Sequence, residues 1–155
     1  MAIDVMRKSA LMNPSADYFI GHVMKESLDK NGDTVYNILT NDLTIIASKM
    51  YKKSFLDRFN IRNCEEFSRF ADDTYFNILS YELGEKVFIP FPLYFYARNP
   101  NSVTNKNDGR DYWNGVVPKF LRCIQRTTEK IIEYKPISEI THLPGTLRYI
   151  KTIIQ

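Results

Sequence analysis

The dipeptide Asn31-Gly32 constrains this chain more than any other pair of residues. Asn and Gly tolerate the positive φ angles of a tight hairpin turn, which most residues avoid. The pair lies in the polar run Asp29-Lys30-Asn31-Gly32-Asp33. Asp17 to Met24 precedes it, where Tyr18, Phe19, Ile20, Val23 and Met24 favour a buried strand. Thr34 to Leu39 returns as a second strand, so the sequence predicts an antiparallel pair here.

Helical signals flank this hairpin. Asp4 to Met12 reads as a short helix with Val5, Met6, Ser9 and Leu11 partly inward, stopped by Asn13-Pro14-Ser15. Residues 42–50 suit strand or helix. Ser54 to Phe59 reads as a short helix. Asp72 to Leu83 reads as a longer one, with Phe76, Leu79 and Leu83 on one face and Gly84 at the left-handed cap position. Lys86–Ile89 and Leu93–Tyr96 read as two short strands around Pro90 and Pro92, and Asn99 to Asp111 as a polar loop. Val117, Leu121, Ile124, Thr128 and Ile131 form one face of a helix ending near Tyr134, with Pro118 tolerated in its first turn. The segment from Ile137 is weakly periodic and broken by Pro144-Gly145. Alternating helices and strands predict an α/β or α+β class.

At 155 residues and 44% apolar composition, the chain suits one compact domain with a real core. No window approaches the apolar length of a membrane span, and the opening residues lack a signal-peptide core, so the expectation is cytoplasmic. Cys64 and Cys123 form no Cys-x-x-Cys pair, which predicts two reduced thiols. Residues 119–155 carry seven Lys/Arg against three Glu, a net +4, leaving −1 for residues 1–118. Such a tail suits a solvated helix face, or peripheral contact with an anionic membrane surface. His22 reads as structural, and His142 has no assigned role.

Three stretches in order carry a resemblance. The first is Lys49-Met50-Tyr51-Lys52-Lys53-Ser54-Phe55-Leu56, followed by Asn60-Ile61-Arg62. The second is Ala71-Asp72-Asp73-Thr74-Tyr75-Phe76-Asn77. The third is Pro92-Leu93-Tyr94-Phe95-Tyr96, then Arg98 and Ser102-Val103-Thr104. This order resembles bacterial family 2, GT-A type glycosyltransferases over roughly residues 1–104. The resemblance implies an α/β fold: the carboxyl-terminal part of a GT-A domain over 1–104, then a loop and helical tail over 105–155. It departs from the family pattern at Asp72, where Glu is usual, and at Ala97 and Asn99, where basic residues are frequent. The family's nucleotide-binding strands and metal-holding Asp-x-Asp have no counterpart, so the expectation is a chain beginning just after that motif and inactive alone.

The resemblance implies an inverting transfer of sugar from a nucleotide-diphospho-sugar donor to a hydroxyl on a glycan or lipid-linked acceptor. That chemistry needs a carboxylate base for the acceptor and a divalent metal (Mg or Mn) or cations for the leaving diphosphate. By the resemblance, Asp73 aligns with the base, Asp72 orients it or the acceptor, and the metal ligands lie outside this chain. Carboxylates opening a helix are also ordinary caps. Lys49 is the implied contact near donor or acceptor, and Arg98 and Ser102 face the diphosphate. Trp113 stacks on a sugar or anchors the next helix. Tyr51 and Phe55 read as core aromatics. Two other readings compete. One is a non-catalytic scaffold docking to a complete enzyme. The other is a nucleic-acid module using Lys49, Lys52, Lys53, Arg58, Arg62 and Arg69, a patch diluted by Asp57, Glu65 and Glu66.

Overall fold

The computed structural model describes residues 1–40, 45–67, 72–101 and 110–141, apart from the side chains of 110–114 and 116. The architecture is mixed α/β, built around the central strand β1 (Tyr18–Leu28). β2 (Thr34–Leu39) pairs with it antiparallel, from Leu28↔Thr34 to Val23↔Leu39. The hairpin forms where expected, but only Gly32, at φ 87°, takes a positive angle; Asn31 does not, and the loop runs from Asp29 to Asp33. Two hydrogen bonds to Asp29 Oδ1, from the Asn31 and Asp33 amides, brace it. β1 runs four residues beyond Met24, because β2 partners it throughout.

β3 (Lys49–Tyr51) pairs antiparallel with Ile20 to Tyr18. β4 (Lys86–Tyr96) runs parallel to β1 from Tyr18↔Lys86 to Lys25↔Tyr96. Tyr18 to Ile20 pair with both β3 and β4, and Val23 to Lys25 with both β2 and β4. β4 therefore takes one edge of β1, while β2 and β3 share the other. The two short strands expected around Pro90 and Pro92 are one strand. Register shifts opposite Gly21, His22 and Val23 absorb the prolines as bulges.

The sheet separates two cores. On one face, α1 (Ala2–Met12) lays Met6 against Ala16, Phe19 and Ile89. Leu11, expected inward, is exposed, because the helix meets the sheet mainly around Met6. On the other face lie α2 (Lys53–Arg58), α3 (Asp72–Leu83) and α4 (Arg110–Ile132). Phe55, Ile61, Phe76, Ile78, Leu79, Ile124 and Ile131 form their shared core. Tyr18 stacks on Tyr51 and Phe55 across this interface.

Two helix details correct the sequence expectations. Gly84 does not have positive φ; the positive-φ residues among those described are Ser48, Asn60 and Gly32. A Cβ on Gly84 would sit 2.8 Å from Phe55 Cζ, so close approach of the ring explains the glycine. α4 begins at Arg110, which puts Pro118 in its interior rather than its first turn. There the ring forfeits one i→i−4 hydrogen bond. The inward face of α4 is Cys123, Ile124, Thr127 and Ile131, with Leu121 exposed. Thr127 enters the core because its hydroxyl donates to the Cys123 carbonyl at 2.6 Å.

The buried Glu82 carboxylate fastens the chain after α4. It receives Lys135 Nζ, and its Oε1 accepts from the Thr141 amide at 2.9 Å and hydroxyl at 2.8 Å. Cys64 and Cys123 are free thiols packed beside Phe67.

Candidate functional site

The site is built from β3, the turn before it and the start of α3. Strand alternation turns Lys49 and Tyr51 toward α3, while Met50 packs on the α1 face. Tyr51 meets Phe76 edge-on at 5.1 Å and donates its phenolic hydrogen to Asn77 Oδ1 at 2.8 Å. Asn77 lies one helical turn after Asp73 and is 1% exposed. Proximity to Asp73 adds to burial in pushing the Tyr51 phenol above its ordinary pKa, so β3 and the amino terminus of α3 are in electrostatic contact.

The turn before β3 is pinned to the sheet. Ser48 adopts φ 65°, its carbonyl accepts from the Gly21 amide at 2.7 Å, and its hydroxyl donates to the His22 carbonyl at 2.8 Å. Gly21 admits this turn, since a Cβ there would sit 2.7 Å from Ser48 Oγ and 2.6 Å from Leu93 Cδ1. The pinned turn presents the Ile46 amide to the Asp73 carboxylate as a hydrogen-bond donor. Lys49 is close enough to act on the same carboxylate, and its Nζ also donates to the Ile45 carbonyl.

Asp73 is half-buried. Burial, and secondarily the neighbouring Asp72 carboxylate, push its carboxyl above the usual range; the Ile46 amide and Lys49 pull the other way. Asp72, Asp73 and Lys49 are thus brought together. Arg98 is not among them. It follows β4, and its backbone amide donates to Glu26 Oε2 at 3.4 Å, six residues along β1 from the Ile20↔Lys49 pair. That offset is about 20 Å of strand. Ser102 lies outside the described residues, as do Arg69 and His142. Trp113 lies on α4, with its side chain also outside them.

Ile46 and Asn77 are site residues that sequence reasoning missed. A backbone amide leaves no mark in a sequence, and an Asn inside a helix looks ordinary.

Among the described residues, no group of three or more His, Cys, Asp and Glu is gathered for a metal ion. Asp72 and Asp73 do not fit one between them, since Asp73 already accepts an amide and has a lysine beside it. No helix among the described residues is long and apolar enough to cross a membrane. No protein-family model matches the chain, and neither does any curated protein.

Proposed function

We propose that the chain is the acceptor-side part of an inverting GT-A type glycosyltransferase, in which Asp73 is the general base. The observation that carries this reading is the setting of Asp73: half-buried, raised in proton affinity, held by the Ile46 amide and neighboured by Lys49. A base must be ionised when the acceptor arrives and basic enough to take its proton, and partial burial balanced by a donor and a cation supplies both. Two of the three stretches that carry the resemblance supply this setting, the first through Lys49 and the second through Asp72 and Asp73.

In the proposed reaction the acceptor oxygen attacks the anomeric carbon of the donor. As that bond forms, the bond to the diphosphate breaks and the diphosphate leaves with the electron pair. The hydroxyl proton passes to Asp73. Asp72 orients the acceptor, and Tyr51 with Asn77 fixes the helix end that carries the base. The nucleotide, its sugar and the divalent metal are held by a nucleotide-binding half outside residues 1–155.

The test combines the chain with nucleotide-binding halves from candidate family 2 enzymes and measures sugar transfer. Transfer in a reconstituted pair, lost about a hundredfold with Asp73→Asn, supports the reading. Retained transfer with Asp73→Asn removes it. Tight, metal-dependent binding of nucleotide diphosphates by the chain alone would contradict the division of labour.

The nucleic-acid reading has less support. Lys53 and Arg62 both pair with Asp57, Arg58 pairs with Asp17, and Lys52 donates to the Pro14 carbonyl. Those pairings leave little concentrated positive field for phosphates. In the basic tail, Arg122 and Arg126 face outward beside Glu66 and Glu129, whereas Lys130 donates to the Asn60 carbonyl. Peripheral membrane contact through this face remains a proposal, read by binding to anionic against neutral vesicles.

A further inference from the structure

α3 roofs only part of the sheet face it packs on. Tyr18, Ile20, His22, Met24 and Glu26 alternate onto that face. Tyr18 and Ile20 are buried on this face, and the amino terminus of α3 brings Asp73 beside Lys49, the partner of Ile20. Beyond Asp73 the same face continues. Ile38 and Phe95 flank Met24 in register, and Tyr36 flanks Glu26. Tyr36, Ile38 and Phe95 are 60%, 56% and 51% exposed. The Tyr36 and Phe95 rings lie 6.0 Å apart, tilted by 44°, which confirms that they share a face across β1. Met24 stands about 13 Å and Glu26 about 20 Å along the strand from Ile20.

We propose that this strip is the bed for an extended glycan acceptor, laid on Tyr36, Ile38 and Phe95 with its reacting hydroxyl at Asp73. The proposal rests on the sugar-transfer reading and names the acceptor class it takes. Aromatic and aliphatic side chains in a flat row match the C–H faces of pyranose rings. Polar groups at the margins, the Glu26 carboxylate, the His22 ring and the Tyr36 hydroxyl, suit the sugar hydroxyls. Charge argues for a neutral, hydroxyl-rich partner over an anionic lipid surface. Among the described residues, Glu26, Asp72 and Asp73 stand on or beside this strip against Lys49 and Arg98, while strand alternation turns Lys25 to the opposite face. The Ile38 row lies about 13 Å along β1 from the row where Lys49 neighbours Asp73, a span that an extended oligosaccharide covers and that favours an acceptor over an unrelated docking partner.

The test titrates the full chain with cellohexaose, maltohexaose and chitohexaose, followed by aromatic and methyl NMR signals. Phosphatidylglycerol vesicles and a protein dilution series run alongside. At least one hexasaccharide should move Tyr36, Ile38 and Phe95 with millimolar affinity. Tyr36→Ala/Phe95→Ala, folded by circular dichroism, should lose at least tenfold of it. The proposal is overturned if no hexasaccharide moves these signals, if the vesicles move them and the saccharides do not, or if dilution alone does. Acceptor kinetics in a reconstituted transferase separate the two readings. Transfer with an acceptor KM unchanged by the double variant removes the bed and keeps the transferase. Saccharide binding on the strip, with every reconstitution inactive, keeps the bed and removes the transferase.

Discussion

Tyr51 donates to Asn77 Oδ1 at 2.8 Å, and this bond ties β3 to α3 one helical turn from Asp73. It links the strand carrying Lys49 to the helix carrying the proposed base. Tyr51→Phe keeps the stacking on Tyr18 and removes a hydrogen bond from a buried amide. Stability should fall by about 1–3 kcal/mol in urea denaturation. An unchanged midpoint would mean that the two elements are held by their apolar contacts alone.

Asp73→Asn separates a base from a cap without any assay of transfer. The folded-state pKa is raised, so the native chain holds this proton more tightly than the unfolded chain does. Stability therefore falls as pH rises from the ordinary aspartate value through the raised one, and the penalty is complete above it. The Asn variant should melt higher than wild type at pH 7, with the gap closing as pH drops toward 4. A carboxylate that only caps the helix would leave the melting temperature nearly unchanged on this substitution, because Asn caps about as well as Asp.

Gly84→Ala tests why the glycine is there. A new Cβ would press on Phe55 at 2.8 Å while facing no positive-φ strain. The expected loss is about 1–3 kcal/mol from overpacking. Phe55→Leu should recover part of that loss in the double variant. Strict additivity of the two losses would point back to the backbone.

Lys135→Met leaves the buried Glu82 carboxylate without its cation, although the Thr141 amide and hydroxyl still donate to it. The loss should be about 3 kcal/mol, the usual scale for breaking a buried pair. Glu82→Leu/Lys135→Met should be closer to wild type than Lys135→Met is, measured by chemical denaturation. Equal losses in the two variants would mean that Glu82 matters for more than its cation.

The two thiols should react unequally. Burial pushes the Cys123 thiol up to about 12, and the residue is enclosed beside Phe67. Cys64 is only partly buried. A thiol-disulfide reagent at neutral pH should titrate one group in the native chain and two in denaturant. Rapid modification of both would show that the α3–α4 core opens readily.

Local chemistry made part of this fold legible. Asn31-Gly32 announced its hairpin, and Asp72–Leu83 is the helix its periodicity predicts. What stayed hidden depends on distant partners. The bulges that carry β4 past Pro90 and Pro92 exist only against β1, and Gly84 is small because of a ring on α2. In the site, the Asp72-Asp73 pair and Lys49 stood out through their family-like spacing, and the fold brings them together. Ile46 lay in the segment that suited strand or helix, and it acts through its amide. Tyr36 and Phe95 share a face only because β2 and β4 both pair with β1, a relation that no local pattern carries.

Pro90 and Pro92 have one more consequence, for the company the chain keeps in solution. From Val87 to Tyr96 the sequence has no charged residue and is rich in aromatics. Among the described residues, the outer edge of β4 has no strand beside it. An uncharged aromatic strand on an open edge is a template for cross-β growth. Each proline deletes a donor from that edge, and the bulges break its straight run. β4 therefore carries its own guards against polymerising with further copies of itself.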